Sequence, residues 1–409
     1  MINPYAGVNW GSCEEIVSVS HQHLSHSMTG TYTPQKIFND IYATGVRHFA
    51  ISRYRPGIPT WPFDYDNNTF VYVANPFGSE LPLEQLKQEY AFTVTMPNDV
   101  IGAPNAEHIY PLLYVNNVTK RWNGVHINAM GSLFESSTVP KPDTGYKDSG
   151  LDIGYTEAID GMLNNLLYPE GGGVIINHMQ FTEEHRKFNY DVPRFIADCL
   201  DYDPRVLGTD MIESGNQGRI EANRAWIDRI LMTGRRCWIF CQDDWLTVEK
   251  RIGRGRNVLL IQPGLSRTEK QRACLKAYRD GAFYSRFGNS ALQLGSVSYT
   301  GGVYSISAPN ADGIRIVVDG VSTNYSGSTA SQAIPADAVY VRAEAWIDKD
   351  DDPDWIYKES DIYKDILFTN PIMVNPVTYP YDPAYDKTTP EPEPDPDPET
   401  TKRRWLLWS

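Results

Sequence analysis

Short apolar segments alternate with amphipathic ones from about residue 15 to residue 282, and this alternation constrains the fold more than any other feature of the chain. Apolar, β-branched residues fill segments such as 46–52, 174–177 and 206–212, whereas 34–44 has apolar residues at helical spacing. Alternating strands and helices favour a parallel sheet covered by helices. We therefore predict an α/β fold, specifically a distorted β/α barrel, whose chemistry lies where the strands end.

Polar residues follow several of these predicted strands. His21 and His23 end one β-branched run, His178 follows a second, and Asp243 follows a third. Residues two positions apart in a strand share a face, so His21 and His23 should project together. Imidazole is the commonest metal-binding side chain, so we predict that these residues converge as ligands of zinc, iron or manganese. The alternative is a set of surface or hydrogen-bonded side chains.

The pattern of apolar and polar residues changes near residue 283. Residues 283–375 alternate apolar and polar side chains between turn residues, which predicts a small antiparallel β domain. Residues 376–409 form a proline-rich, acidic linker that ends in a basic and aromatic tail, and we expect it to be disordered. With an N-terminal extension over 1–14 and the barrel over 15–282, the chain divides into four parts.

Composition excludes several classes of protein. The formal net charge of −14 argues against general nucleic-acid binding, which needs a basic surface. No apolar run is long enough to cross a bilayer, and the N-terminus lacks the pattern of a signal peptide. These features predict a cytoplasmic or virion-associated protein. The tail 402–409 predicts a protein partner or a membrane interface, with an unstructured tip as the alternative.

The motifs together resemble those of the polymerase and histidinol phosphatase (PHP) superfamily, in particular its metallohydrolase branch with a C-terminal β domain. The resemblance covers about residues 15–375. It implies a barrel of the seven-stranded type and a metal-dependent hydrolase, most simply a phosphoesterase that acts on a small phosphate ester. The segments that carry it are His21-Gln22-His23, Gly124-Val125-His126, Gly172 to His178, and Gln242-Asp243-Asp244.

Departures from the family pattern put the metal content in doubt. The chain has Arg53 where the family carries an aspartate ligand, Asn117 in place of a bridging glutamate, and Trp245 in place of a closing histidine. The resemblance then implies one or two divalent ions (zinc, manganese or iron), or none. Their ligands would be His21, His23, His178 and Asp243.

Three further residues receive predicted roles. His126 is assigned to a second ion or to the substrate, Arg53 to a phosphate as a bidentate clamp, and Glu213 to general-base or supporting work. Solvated or salt-bridged side chains are the alternatives. Two functions stay open: the hydrolase, and a catalytically degenerate module that serves a larger assembly, such as a viral particle, through its C-terminal tail.

Overall fold

A computed structural model describes the chain over residues 1–24, 33–53, 58–74, 83–109, 112–115, 118–121, 126–135, 154–177, 199–213, 220–244, 254–288, 292–348 and 363–377. The strands are β1 (Glu14–Val19), β2 (His48–Ile51), β3 (Phe63–Asp64), β4 (Thr69–Val73), β5 (Ala91–Thr95), β6 (Ile101–Ile109), β7 (Leu112–Val115), β8 (Val118–Arg121), β9 (His126–Met130), β10 (Gly173–Asn177), β11 (Val206–Glu213), β12 (Trp238–Gln242), β13 (Gly255–Ile261), β14 (Phe283–Phe287), β15 (Ser296–Thr300), β16 (Val303–Ser307), β17 (Gly313–Val318), β18 (Val321–Ser326), β19 (Thr329–Ala333), β20 (Tyr340–Asp348), β21 (Tyr363–Thr369) and β22 (Ile372–Met373). The helices are α1 (Pro34–Ala43), α2 (Leu83–Glu89), α3 (Tyr155–Asn164), α4 (Ile220–Leu231) and α5 (Arg267–Asp280).

The fold is mixed α/β and is built on one large sheet. Its 14 strands run in the order β12-β11-β10-β9-β6-β2-β1-β13-β14-β21-β20-β17-β18, with β22 paired to β20. The strands predicted near residues 46–52, 174–177, 206–212 and 237–241 are present as β2, β10, β11 and β12. The sheet is not purely parallel, however, because β9 is antiparallel to both β6 and β10, and β13 is antiparallel to β1. Among the described strands, β12 has a backbone-paired neighbour on one side only and therefore stands at one end of the order.

The strand directions bring several strand ends to one edge of the sheet. β1, β2 and β6 run parallel to one another, as do β10, β11 and β12. β9 runs the opposite way between the two groups, so it begins where β6 and β10 end. The residues that follow β1, β2, β6 and β12, together with His126 at the start of β9, therefore meet at this edge.

Local signals in the sequence explain where the helices begin and end. Thr33 caps α1 by accepting a hydrogen bond from Lys36 N, and proline occupies the first helical position. Ser266 caps α5, and Glu269 completes a capping box there. Gly281 ends α5 at φ 75°, where a glycine has little conformational cost. α5 then packs against the apolar part of the sheet that includes Met130, Ile175, Phe240 and Leu259.

The C-terminal strands extend the same sheet and add a second layer to it. β14 pairs with β13 on one side and with β21 on the other, so backbone hydrogen bonds are continuous across residue 283. A separate antiparallel sheet, β15-β16-β19, packs over this extension through a shared apolar core. The antiparallel texture predicted after residue 283 is therefore present, while the domain boundary itself stays a prediction.

Several predicted features fall outside the described residues: His178, Asn117, Trp245 and the tail from residue 378 onward. None of the described helices combines the length and the apolar character that a membrane span requires.

A buried ion network joins the C-terminal strands to α4. Glu344 on β20 pairs with Arg224 of α4 at 2.6 Å and with Arg342 at 2.5 Å. Arg342 also contacts Asp228 of α4 at 2.8 Å. Burial alone would raise the pKa of Glu344, but the two guanidinium groups outweigh it and lower the pKa to about 2. The carboxylate is thus charged at neutral pH and fixes β20 against the helix.

We expect Glu344→Gln to lower the free energy of unfolding by about 3–5 kcal/mol, because it removes the negative charge that the buried Arg224 and Arg342 guanidinium groups share. Since the folded pKa lies below the ordinary value of 4.5, the ionised Glu344 stabilises the fold above pH 4.5. That contribution is lost as the pH falls toward 2. In urea denaturation, the difference between wild type and variant should shrink over this range. Glu84→Gln, at an exposed ion pair, is the control and should cost less than about 1 kcal/mol. A pH-independent difference would contradict this account.

Candidate metal centre

The segment that follows β1 is held against the segment that follows β12. Asp244 N donates to His21 O at 3.1 Å, and His23 N donates to Asp244 O at 3.1 Å. Gln22 and Asp244 form a parallel bridge between these hydrogen bonds. The backbone thus brings Asp244 beside both histidines at the strand-end edge of the sheet.

Five ionisable side chains, carried by β6, by the start of β9 and by the segments that follow β1 and β12, converge at this point: His21, His23, Glu107, His126 and Asp244. The Nε2 atom of His21 lies 3.2 Å from Glu107 Oε1 and 3.3 Å from Asp244 Oδ1. The Nε2 atom of His23 lies 3.0 Å from Asp244 Oδ1 and 3.4 Å from Glu107 Oε2. The Nδ1 atom of His126 lies 3.0 Å from Glu107 Oε1. Four of the side chains are at most 3% exposed, and that of His126 is 12% exposed.

The spacing of these atoms fits a bound divalent ion. Ligands about 2.1 Å from one ion lie about 3.0 Å apart along an octahedral edge and about 3.4 Å apart in a tetrahedron. The imidazole–carboxylate distances of 3.0 to 3.4 Å cover the same interval. Two overlapping groups, His21-His23-Glu107 and His21-His126-Asp244, offer ligand atoms that all lie within 4.8 Å of one another. Imidazole with carboxylate is a donor set suited to zinc, manganese and iron.

A hydrogen bond fixes the orientation of the His23 ring. Its Nδ1 atom lies 3.0 Å from Ser52 O, and a carbonyl can only accept, so Nδ1 carries the proton. The Nε2 atom of a neutral His23 then presents its lone pair to the centre, as a metal ligand must. Burial lowers the pKa of His23, but the Glu107 and Asp244 carboxylates outweigh it and raise that pKa. A proton and a metal ion would therefore compete for this nitrogen.

Glu107 carries a negative charge in a fully buried position. Burial acts to raise its pKa, yet the facing imidazoles of His23 and His21, with a hydrogen bond from His126, hold the pKa well below the ordinary range. The centre therefore has two anionic groups, those of Glu107 and Asp244, and three imidazoles. Such a set attracts a cation.

Arg53 lies just beyond β2, next to the Ser52 carbonyl that holds His23. Its side chain is 2% exposed, and burial lowers the pKa of the guanidinium to about 10. The group remains positively charged at neutral pH. Arg53 is thus a buried, positively charged residue one position beyond the carbonyl group that holds His23.

The structure brings three predicted site residues together and replaces a fourth. His21, His23 and His126 share the centre, as expected. The carboxylate that joins them is Asp244 rather than the predicted Asp243, which instead accepts a hydrogen bond from Gly255 N at 2.7 Å. Backbone pairing explains the shift, because Asp244 rather than Asp243 forms the parallel bridge with Gln22, between His21 and His23.

Two predicted residues have no described side chain. His178 follows β10 outside the described residues, and Glu213 ends β11 with only its backbone described. Their roles as metal ligand and general base stay predictions.

Glu107 was missed by the sequence analysis, which placed the lost carboxylate at Asn117. Glu107 lies inside a nine-residue strand, β6, with no polar strand end to mark it. Its signal is an isolated acid, Ala106-Glu107-His108, in an otherwise uncharged segment that is buried throughout the described side chains. An acid with no exposed neighbours needs a cationic partner.

Comparisons with known proteins leave the family open. No family model and no curated protein matches the chain. The chain is similar to the crystal structure of PsfC from Pseudomonas syringae PB-5123, with a TM-score of 0.35 and 11% identity over 66% of this chain and 88% of that one. A similarity of this size carries no functional information.

We expect Asp244→Asn to weaken Mn²⁺ or Zn²⁺ binding by about 10- to 100-fold, because the amide removes one anionic ligand. Asp243→Asn is the matched control, and its affinity should stay within about threefold of wild type because its carboxylate is engaged by Gly255. Isothermal titration of chelator-stripped protein measures both. If Asp243→Asn weakened metal binding more than Asp244→Asn did, Asp243 would be the ligand, as predicted from the sequence.

Proposed function

We propose that this chain is a metal-dependent hydrolase of the PHP type, and that its substrate is a small phosphate ester. The observation that carries the proposal is the set of three imidazoles and two carboxylates at the strand-end edge, which forms two overlapping groups of three whose ligand atoms lie within 4.8 Å of one another. Strand ends at one face are where β/α enzymes hold their chemistry. The resemblance of His21-Gln22-His23 to the family's first motif supports the same assignment.

The proposal treats the seven strands from β12 to β1 as a distorted barrel. These strands are consecutive in the sheet order, and the bridge between Gln22 and Asp244 joins the two end strands at the site. Further from the site, Asn257 on β13 bonds with both N and O of Cys241 on β12 at 3.2 Å. Between β12 and β13, side-chain hydrogen bonds therefore join strands that elsewhere in the sheet are joined by backbone hydrogen bonds.

One or two divalent ions would be held by His21, His23, Glu107, His126 and Asp244. The two overlapping ligand groups share His21, and because a neutral imidazole offers one lone-pair nitrogen, His21 would ligate one ion only. A bound divalent ion supplies positive charge for the phosphoryl oxygens and lowers the pKa of water toward neutrality. The neutral Nε2 of His23 and the ionised Glu107 are the states that such binding requires.

The proposal assigns binding of the phosphate to Arg53, whose guanidinium is buried and positively charged one residue beyond Ser52. A guanidinium binds a phosphate through two parallel hydrogen bonds. Arg53 would therefore orient the ester and neutralise its charge.

If one ion is bound, held by His21, His23, Glu107 and Asp244, then His126 is the residue best placed to exchange a proton with the substrate. Its side chain is the most accessible of the five, and its Nδ1 atom contacts Glu107 Oε1 at 3.0 Å. The carboxylate would orient the ring, leaving Nε2 for the leaving-group oxygen. Glu213 remains a candidate base on sequence grounds alone.

The degenerate-module hypothesis becomes the second candidate. It relied on the loss of carboxylate ligands, whereas Glu107 and Asp244 supply two of them. Its remaining support, the tail at residues 402–409, lies outside the described residues.

We expect the chelator-stripped protein to hydrolyse p-nitrophenyl phosphate only after Mn²⁺ or Zn²⁺ is added. Glu107→Gln should lower kcat/KM by at least about 100-fold, because several kcal/mol of transition-state stabilisation depend on the ion. Glu135→Gln, at an exposed position, is the matched control and should leave the rate unchanged. Equal rates for wild type and Glu107→Gln across phosphate mono- and diesters would overturn the proposal.

A further inference from the structure

A second buried polar layer lies beneath the candidate metal centre. It consists of amide side chains from five strands of the large sheet, and each is at most 1% exposed. We call it the amide ring; its members are Asn105 on β6, Asn128 on β9, Asn177 on β10, Gln242 on β12 and Asn257 on β13. Buried amides are costly unless their hydrogen bonds are satisfied, so such a layer needs a reason.

Four of the amides form a directional chain across the sheet. Gln242 Nε2 donates to Asn177 Oδ1 at 2.9 Å, and Asn177 Nδ2 donates to Asn128 Oδ1 at 2.5 Å. Asn128 Nδ2 donates to Asn105 Oδ1 at 3.0 Å. Asn177 and Asn128 each accept from one neighbour and donate to the next, while Gln242 begins the chain as a donor and Asn105 ends it as an acceptor.

The chain ends on the backbone immediately before His21. Asn128 Nδ2 and Asn105 Nδ2 both donate to Ser20 O at 2.8 Å. Asn257 Nδ2 donates to Ser20 Oγ at 2.9 Å and to Cys241 O at 3.2 Å. Because Cys241 precedes Gln242, the hydrogen bonds return to the strand from which they started. Ser20, the residue next to His21, is the point where both halves of the ring meet.

On three strands, the amide of the ring lies two residues from a metal-ligand candidate on the same face. Asn105 precedes Glu107, Gln242 precedes Asp244, and Asn128 follows His126 on the antiparallel β9. Two residues along a strand span about 6.6 Å, so the ring lies one step below the ligands. On the other side of the ring, the apolar layer with Ala103, Met130 and Phe240 excludes water.

We propose that the amide ring positions the metal ligands, with Asn128 as its hub. This inference rests on the proposed metal-dependent function. Asn128 accepts from Asn177 and donates to both Asn105 and Ser20 O, so it joins β10, β6 and the end of β1. Its removal leaves the Asn177 donor unpaired and withdraws one of two donors from the peptide that carries His21. The ligand spacing then loses its support, although every ligand is still present.

The test measures metal affinity instead of turnover. Chelator-stripped full-length protein is titrated with Co²⁺, and the dissociation constant and visible ligand-field spectrum are recorded for wild type and Asn128→Ala. We expect the variant to bind Co²⁺ about 10- to 100-fold more weakly, with an altered spectrum, as for other residues that orient metal ligands.

Asn370→Ala is the matched control. Asn370 is 1% exposed and makes three hydrogen bonds, to Ile239 N, Gly281 O and Phe283 O, none of which involves the amide ring. A merely structural role would make both variants less stable and leave both Co²⁺ affinities at the wild-type value. Our proposal requires that only Asn128→Ala changes the affinity and the spectrum.

Gln242→Met provides a second variant in case Asn128→Ala fails to fold. It removes the first donor of the chain at nearly constant volume, and we expect at least a threefold loss of Co²⁺ affinity. Wild-type affinity and spectrum in the folded ring variants would overturn the role of the amide ring alone. Failure of wild type to bind Co²⁺, Mn²⁺ or Zn²⁺ would overturn the proposed function and this inference with it.

Discussion

Two negative charges buried in one place are the constraint on which the rest of this structure depends. Glu107 and Asp244 are almost completely removed from water, and an isolated buried carboxylate is strongly unfavourable. The imidazoles of His21, His23 and His126 offset part of this cost, and their nitrogen atoms lie 3.0 to 3.4 Å from the carboxylate oxygens. A divalent cation is the partner that would balance both charges with the imidazoles neutral.

The two-residue period of β-strands explains how one sheet builds this centre. Along β6 the inward side chains change from Ala103 to Asn105 to Glu107, so an apolar layer, an amide layer and a charged layer follow in order. β12 repeats the sequence of layers with Phe240 and Gln242, and β9 repeats it in reverse. The apolar layer contributes stability, and the amide layer fixes the layer that carries charge.

Much of this arrangement could be predicted from the sequence, since strand–helix alternation and His21-Gln22-His23 mark both the elements and the edge where they meet. Two features could be recognised only in the three-dimensional structure. Asp243 and Asp244 are adjacent acids beyond the end of β12, and only the backbone bridge to Gln22 shows which one lies beside the histidines. Glu107 lies in mid-strand on β6, and its partners are distant in sequence. The antiparallel direction of β9 likewise depends on pairing that local propensity does not encode.

A crystal structure of the protein grown with Mn²⁺ or Zn²⁺, with anomalous diffraction recorded at the metal edge, tests the central claim most directly. We expect an anomalous peak among His21 Nε2, Glu107 and Asp244, with ligand distances of about 2.0–2.2 Å. Protein saturated with metal in the crystal, yet with no peak at this position and with the imidazoles hydrogen-bonded to the carboxylates, would contradict it. The cluster would then be an ion-pair network that holds strand ends together.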